Sequence, residues 1–86
     1  AGVYAVKCFL EGKQYNGIAN MGTRPTVDGS KPVLEIHIFN FNENIYGQRL
    51  TVEFINKLRE EKKFDNIDLL KEQILQDISQ AKEILE

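Results

Sequence analysis

The chain has 86 residues, of which 42% are hydrophobic and 28% charged, and its formal net charge is −2. This length allows one small domain, and the hydrophobic content argues against an intrinsically disordered chain. The slight acidic excess gives no overall attraction for nucleic acid, and no run is apolar enough to predict a membrane span. The one cysteine, Cys8, lies in an apolar stretch, so we interpret it as a core residue of a protein from a reducing compartment.

Alternating apolar residues predict two strands at the start of the chain. The first runs from Val3 to Leu10, and Glu11–Gly12 then indicates a tight hairpin turn, because glycine accepts the positive φ of such turns. The second strand runs from Lys13 to Met21, with Gly17 as a bulge or a point of close approach. Residues 22–32 contain both prolines and two glycines of the chain. We therefore predict a loop there.

The third predicted strand, Val33 to Phe41, is the most apolar run and alternates with period two. It places Glu35 among apolar neighbours, where a charge is costly unless it is paired, protonated or open to a cleft. The pattern leaves two interpretations open: a glutamate at the rim of an ordinary half-exposed strand, or a functional carboxylate. His37 is the one histidine and has no partner at metal-ligand spacing, so we interpret it as a strand or core residue.

The fourth strand is predicted from about Arg49 to Leu58, and a charged connection, residues 59–64, follows it. The chain then ends in a helix over about 67–85, with Asn66 as its N-cap. One face of this helix is apolar, and the other face, which includes Asp77, is predicted to be solvated. Short connections exclude parallel crossovers, so the strands are expected to form an antiparallel meander or Greek-key sheet.

Catalytic motifs of common classes are missing from the sequence. It has neither a Walker-type phosphate loop nor a GxGxxG run, and no second histidine for a nucleophile triad. The residues alone therefore predict a small β-rich domain with one unusually placed glutamate.

Four short motifs, taken in order, resemble the riboflavin kinase family. They are NMGTRPT at 20–26, LEIHI at 34–38, IYG at 45–47 and LREEKKFD at 58–65. Their order and spacing are similar to those of the C-terminal module of bacterial bifunctional riboflavin kinase/FAD synthetases, and the resemblance extends over essentially the whole chain. It implies one mainly β domain over residues 1–86: an incomplete antiparallel Greek-key β-barrel packed by a C-terminal α-helix.

The resemblance also implies a reaction, in which the γ-phosphoryl group of ATP passes to the 5′-hydroxyl of riboflavin and gives FMN. In the family the glutamate of the matching strand is the catalytic base, so Glu35 is expected to accept the proton of the attacking hydroxyl. The other site residues that the resemblance implies are flavin-binding Arg59, Lys62 and Phe64 and nucleotide-binding Asn40 and Tyr46. From the pattern alone, Arg59 and Lys62 also fit a solvated charge run, and Tyr46 a core aromatic beside a turn.

Members of the family carry a glycine-rich segment before the strand that matches residues 2–4, and its threonine and asparagine hold Mg²⁺ and the phosphates. The 86 residues do not include such a segment. We therefore expect the Mg²⁺ ligands to lie outside this chain, no metal site within it, and no kinase activity from the chain alone. An incomplete barrel would also leave an open sheet edge through which the chain self-associates.

The resemblance further implies a cytoplasmic protein without nucleic-acid or membrane partners, whose longer form also adenylylates FMN to FAD. Two alternatives remain open at this point. One is a non-catalytic flavin-binding or protein-interaction module. The other is an OB-like barrel that binds single-stranded nucleic acid, although the basic groove with interleaved aromatic residues that such binding uses is not evident.

Overall fold

The computed structural model describes residues 1–43 and 47–86, and Tyr46 thus lies outside the described residues. Within them, four strands precede one helix: β1 (Gly2–Leu10), β2 (Lys13–Thr26), β3 (Gly29–Ile38), β4 (Thr51–Arg59) and α1 (Ile67–Leu85). The strands form one antiparallel sheet in the order β3-β2-β1-β4, and α1 packs against one of its faces. The predicted mainly β fold with a C-terminal helix is therefore confirmed, as an open sheet. Among the described residues, no helix has the length and apolar character needed to cross a membrane.

Strand β1 lies in the interior of the sheet and is buried on both faces. On one face, Ala5 belongs to a cluster with Phe39 and two residues of α1, Ala81 and Leu85. On the opposite face, Val6, Cys8 and Ala19 form a second cluster. Cys8 is fully buried, as predicted, and this burial raises the pKa of its thiol. The two clusters make β1 the element that joins the helix side of the sheet to its other side.

The local geometry confirms the first hairpin. Glu11 and Gly12 have φ values of 50° and 79°, and they join Leu10 and Lys13, which are paired across the strands. Gly17 is a point of close approach, because a Cβ atom there would collide with the carbonyl oxygen of His37 on β3. The strand register is regular at this position, so Gly17 is not a bulge.

The prediction of a loop over residues 22–32 is wrong. Strands β2 and β3 continue through it as a paired arm, and only Val27 and Asp28 form the turn. The pairing of β2 with β1 ends at Met21. Beyond Met21 the arm extends past β1, so its backbone on that side has no neighbouring strand to which N–H groups must donate. Prolines at 25 and 32 are tolerated on such edges, although the composition of residues 22–32 indicates a loop.

Three further boundaries differ from the prediction. Strand β3 ends at Ile38 rather than Phe41, because Asn40 adopts a positive φ of 55° that a strand cannot accommodate. Strand β4 begins at Thr51 and extends through Arg59, which pairs with Val3 and is not part of the connection.

Helix α1 begins where the sequence predicts. The side chain of Asn66 accepts a hydrogen bond from the Leu69 N–H at 2.9 Å, which is the N-cap interaction. The expectation that Asp77 is solvated is wrong, because its side chain is only 2% exposed and faces the sheet.

Candidate active site

A cavity of about 390 Å³ lies between the sheet and α1. Its walls come from three parts of the chain: the helix-facing side of the sheet, the segment that joins β4 to α1, and α1 itself. The polar and aromatic side chains that line it include Glu35, His37, Arg59, Lys62, Phe64 and Asp77.

Four residues that the sequence analysis placed in the site line this one cavity. Glu35 comes from β3, Arg59 from the end of β4, and Lys62 and Phe64 from the segment after it. Asn40 is exposed and is not among the lining residues. The structure thus brings the expected base and the expected flavin-side residues together and leaves Asn40 outside.

Glu35 is paired and open to the cavity. It lies opposite Asn20 in the β2–β3 ladder, and Arg24, four residues further along β2, is on the same side of the strand. The Arg24 Nη2 atom donates a hydrogen bond to Glu35 Oε1 at 3.0 Å. The side chains are 66% and 65% exposed, so the charge on this apolar strand is tolerated by pairing and by access to solvent.

Arg59 is held by an acidic partner from the helix. Its Nε donates to Asp77 Oδ1 at 2.9 Å, and its Nη2 donates to Asp77 Oδ2 at 2.8 Å. Gln73 Nε2 also donates to Asp77 Oδ1, at 3.1 Å. The Arg59 side chain is only 20% exposed, so the interpretation of this residue as part of a solvated charge run is wrong. Lys62 is exposed, and that interpretation still fits its position.

Phe64 connects the two basic residues. The Arg59 guanidinium carbon lies 5.8 Å from the centroid of the Phe64 ring, and Lys62 Nζ lies 5.5 Å from it. Both distances are within the range of cation–π attraction. Phe64 therefore lies beside both of the basic residues expected on the flavin side.

Sequence reasoning missed two participants. The sequence predicts a loop around Arg24, so it does not indicate that Arg24 lies beside Glu35. It places Asp77 on the solvated face of the helix, although Arg59, which Asp77 binds, is itself a candidate site residue. The available signal was that Asp77, a carboxylate, lies at a helix position on the apolar side of α1.

No ligand set for a metal ion is found in the part of the chain that the structure describes. Within residues 1–43 and 47–86, no three His, Cys, Asp or Glu side chains come together as candidate ligands.

Comparisons with known proteins agree with the four motifs. The family model described as "Flavokinase: Riboflavin kinase" matches residues 1–85. The chain is 54% identical over 82 residues to the bifunctional riboflavin kinase/FMN adenylyltransferase of Haemophilus influenzae, a match that covers 94% of this chain and 27% of that protein. The protein of the same description from Bacillus subtilis is 40% identical over 83 residues, covering 93% of this chain and 26% of its own length.

A solved structure has the same fold. The crystal structure described as a macrolide-efflux protein from Streptococcus pneumoniae matches with a TM-score of 0.87 at 33% identity. This match covers 94% of the present chain and 27% of the other. The chain thus spans about a quarter of the length of these relatives.

Proposed function

Because the chain belongs to the riboflavin kinase family, as its four motifs predicted, we propose that it provides the flavin site and the catalytic base of a riboflavin kinase. The reaction moves the γ-phosphoryl group of ATP to the 5′-hydroxyl of riboflavin, with FMN and ADP as products. One observation carries this proposal: Glu35, Arg59, Lys62 and Phe64, expected from two separate motifs, line one cavity. Family membership disfavours an OB-like nucleic-acid binder.

Glu35 acts as the general base in this proposal. The riboflavin hydroxyl oxygen forms a bond to the γ-phosphorus, the bond from that phosphorus to the bridging oxygen of ADP breaks, and Glu35 takes the hydroxyl proton. Arg24 binds Oε1 of the carboxylate, so Oε2 is the oxygen that receives the proton. Arg24 thereby sets the direction in which the base faces the cavity.

The flavin ring occupies the side of the cavity formed by Phe64 and the first half of α1. Leu70 and Ile74 line this side and are each 37% exposed, so a planar aromatic ligand would remove apolar surface from water. Arg59 and Lys62 contribute cationic groups beside the Phe64 ring. A flavin, with a large conjugated ring and carbonyl oxygens, suits both properties.

The nucleotide side of the proposal rests on the family resemblance. It assigns Asn40 and Tyr46 to the nucleotide and MgATP as the phosphoryl donor, in a cytoplasmic enzyme. The names of the relatives add a second activity, FMN adenylyltransferase, which we propose for the complete gene product rather than for these residues.

The test is an assay of the complete gene product with riboflavin and MgATP, followed by chromatographic detection of FMN. We expect FMN to form only when both substrates are present, and riboflavin fluorescence to change when the protein is added. A fluorescence change without FMN would support the non-catalytic flavin-binding module instead. If no FMN forms and riboflavin fluorescence does not change, that result would contradict a flavin function of any kind.

A further inference from the structure

Asp77 is a buried carboxylate to which the proposed reaction assigns no role. Its side chain is 2% exposed, and it lines the cavity from the helix side. Burying a carboxylate is costly, and a buried ion pair is often no more stabilising than apolar side chains of similar size. Attachment of α1 to the sheet therefore does not by itself explain a charge at this position.

The contacts of Asp77 fix the orientation of Arg59. Two guanidinium nitrogens, Nε and Nη2, bind the carboxylate side by side, an arrangement that sets the plane of the group as well as its position. A third nitrogen, Nη1, donates to the carbonyl oxygen of Glu60 at 3.1 Å. Gln73 holds the other partner, because it donates to Asp77 Oδ1. Both members of the pair are thus restrained on more than one side.

These contacts leave a defined set of donors for a ligand. An arginine has five N–H groups, and the contacts among the described residues use one on each nitrogen of Arg59. One N–H on Nη1 and one on Nη2 remain, in a plane that Asp77 determines and next to the Phe64 ring. Two such donors suit the carbonyl oxygens of a flavin ring that lies against Phe64.

We infer that Asp77, supported by Gln73, is a positioning residue for riboflavin. It orients the Arg59 guanidinium so that its remaining N–H groups and the adjoining Phe64 ring meet the flavin together. This inference rests on the proposed function, because it needs a flavin in the cavity. It adds a residue outside the four family motifs to the determinants of flavin affinity.

The test compares variants of the complete gene product by riboflavin fluorescence titration, KM for ATP and thermal unfolding. Asp77→Asn keeps the size of the side chain and removes its charge. We expect it to raise the riboflavin Kd about tenfold, as for loss of one charge-assisted hydrogen bond, with KM for ATP changed by less than about twofold. Glu83→Gln is the matched control, because Glu83 is an exposed carboxylate of α1 that does not line the cavity. It should bind riboflavin like the parent protein.

A double-mutant cycle separates positioning from general stabilisation. Lysine keeps the charge of Arg59 but cannot form the two-point contact. If Asp77 acts through Arg59, then Asp77→Asn should weaken riboflavin binding no further in an Arg59→Lys background. A merely structural role predicts a lower unfolding temperature with the riboflavin Kd of the parent protein, and that result would overturn the inference.

Gln73→Ala serves if Asp77→Asn does not fold, because it removes only one support of the carboxylate. We expect a riboflavin Kd raised about threefold, roughly half the free energy of the larger loss. An unchanged Kd in this variant would also overturn the inference. Failure of the parent protein to bind riboflavin would instead contradict the proposed function.

Discussion

The ion pair between Glu35 and Arg24 allows a charged residue to lie in an apolar strand. Both side chains are about two-thirds exposed, and exposed ion pairs contribute little to stability. The hydrogen bond from Arg24 to Oε1 nevertheless orients the Glu35 carboxylate. Loss of this ion pair should therefore affect the rate of catalysis more than the free energy of unfolding.

We predict that Arg24→Ala in the complete gene product changes the free energy of unfolding by less than about 1 kcal/mol. We expect kcat for FMN formation to fall about tenfold, since the base loses its orientation, while the riboflavin Kd stays unchanged. Steady-state kinetics and urea unfolding measure the two effects. Lys31, directly across the ladder from Arg24, provides the control variant Lys31→Ala. Equal kcat values for both variants would show that Arg24 does not orient the base.

At the scale of elements, the β2–β3 pairing places Glu35 on the cavity side of the sheet. Gly17 permits this pairing, because the carbonyl of His37 occupies the space where a Cβ atom would lie. We predict that Gly17→Ala lowers the free energy of unfolding by about 1–3 kcal/mol, the usual cost of forcing extra atoms into a packed site. Urea unfolding with Gln14→Ala, an exposed change on the same strand, provides the comparison. A loss no larger than in that control would mean that the strands adjust freely.

Local patterns predicted the elements that depend on local interactions. The Glu11–Gly12 turn, the Asn66 cap and strand β1 each depend on neighbours in sequence, and each is found in the structure. The arm over residues 22–32 was missed because its composition indicates a loop, whereas cross-strand pairing beyond β1 makes it a hairpin. Pairing partners are decided by the whole sheet, and the sequence pattern does not contain them.

The residues of the candidate site likewise differ in whether the sequence could predict them. The odd position of Glu35 in a strand singles it out, but its role as the base comes from resemblance to a family motif, as do the roles of the flavin-side residues. Asp77 lies 18 positions from Arg59 and shares no motif with it. Its contact depends on the rotation of α1 against the sheet, which brings Asp77 to the cavity beside the apolar residues Leu70, Ile74 and Ile78. The periodicity of apolar residues predicts the helix, but it does not predict how the helix is rotated against the sheet.

At the scale of the whole molecule, the sheet order leaves β3 and β4 at its edges. Edge strands present unpaired backbone groups, and proline is one of the devices that blocks their pairing. β3 contains Pro32, whereas β4 has no proline and carries Phe54 and Ile55, which are 41% and 37% exposed. Of the two edges, β4 is therefore the one suited to self-association.

We predict that the 86-residue chain associates through β4 as its concentration rises. Sedimentation equilibrium should show a concentration-dependent mass for the parent chain, and Ile55→Lys should reduce it, since a charge on an edge strand opposes pairing. Leu34→Lys on β3 is the control and should leave the association unchanged. A single monomer mass at all concentrations would contradict this account of the edge.

The central claim is that Glu35 is the base of a riboflavin kinase, and turnover of Glu35→Gln in the complete gene product tests it most directly. Glutamine keeps the size of the side chain but cannot take the hydroxyl proton, so FMN formation should fall by about 10²–10⁴-fold. The riboflavin Kd should remain within about twofold of the parent value, and Glu53→Gln, an exposed change on β4, should keep full activity. Near-parental turnover of Glu35→Gln would contradict the claim.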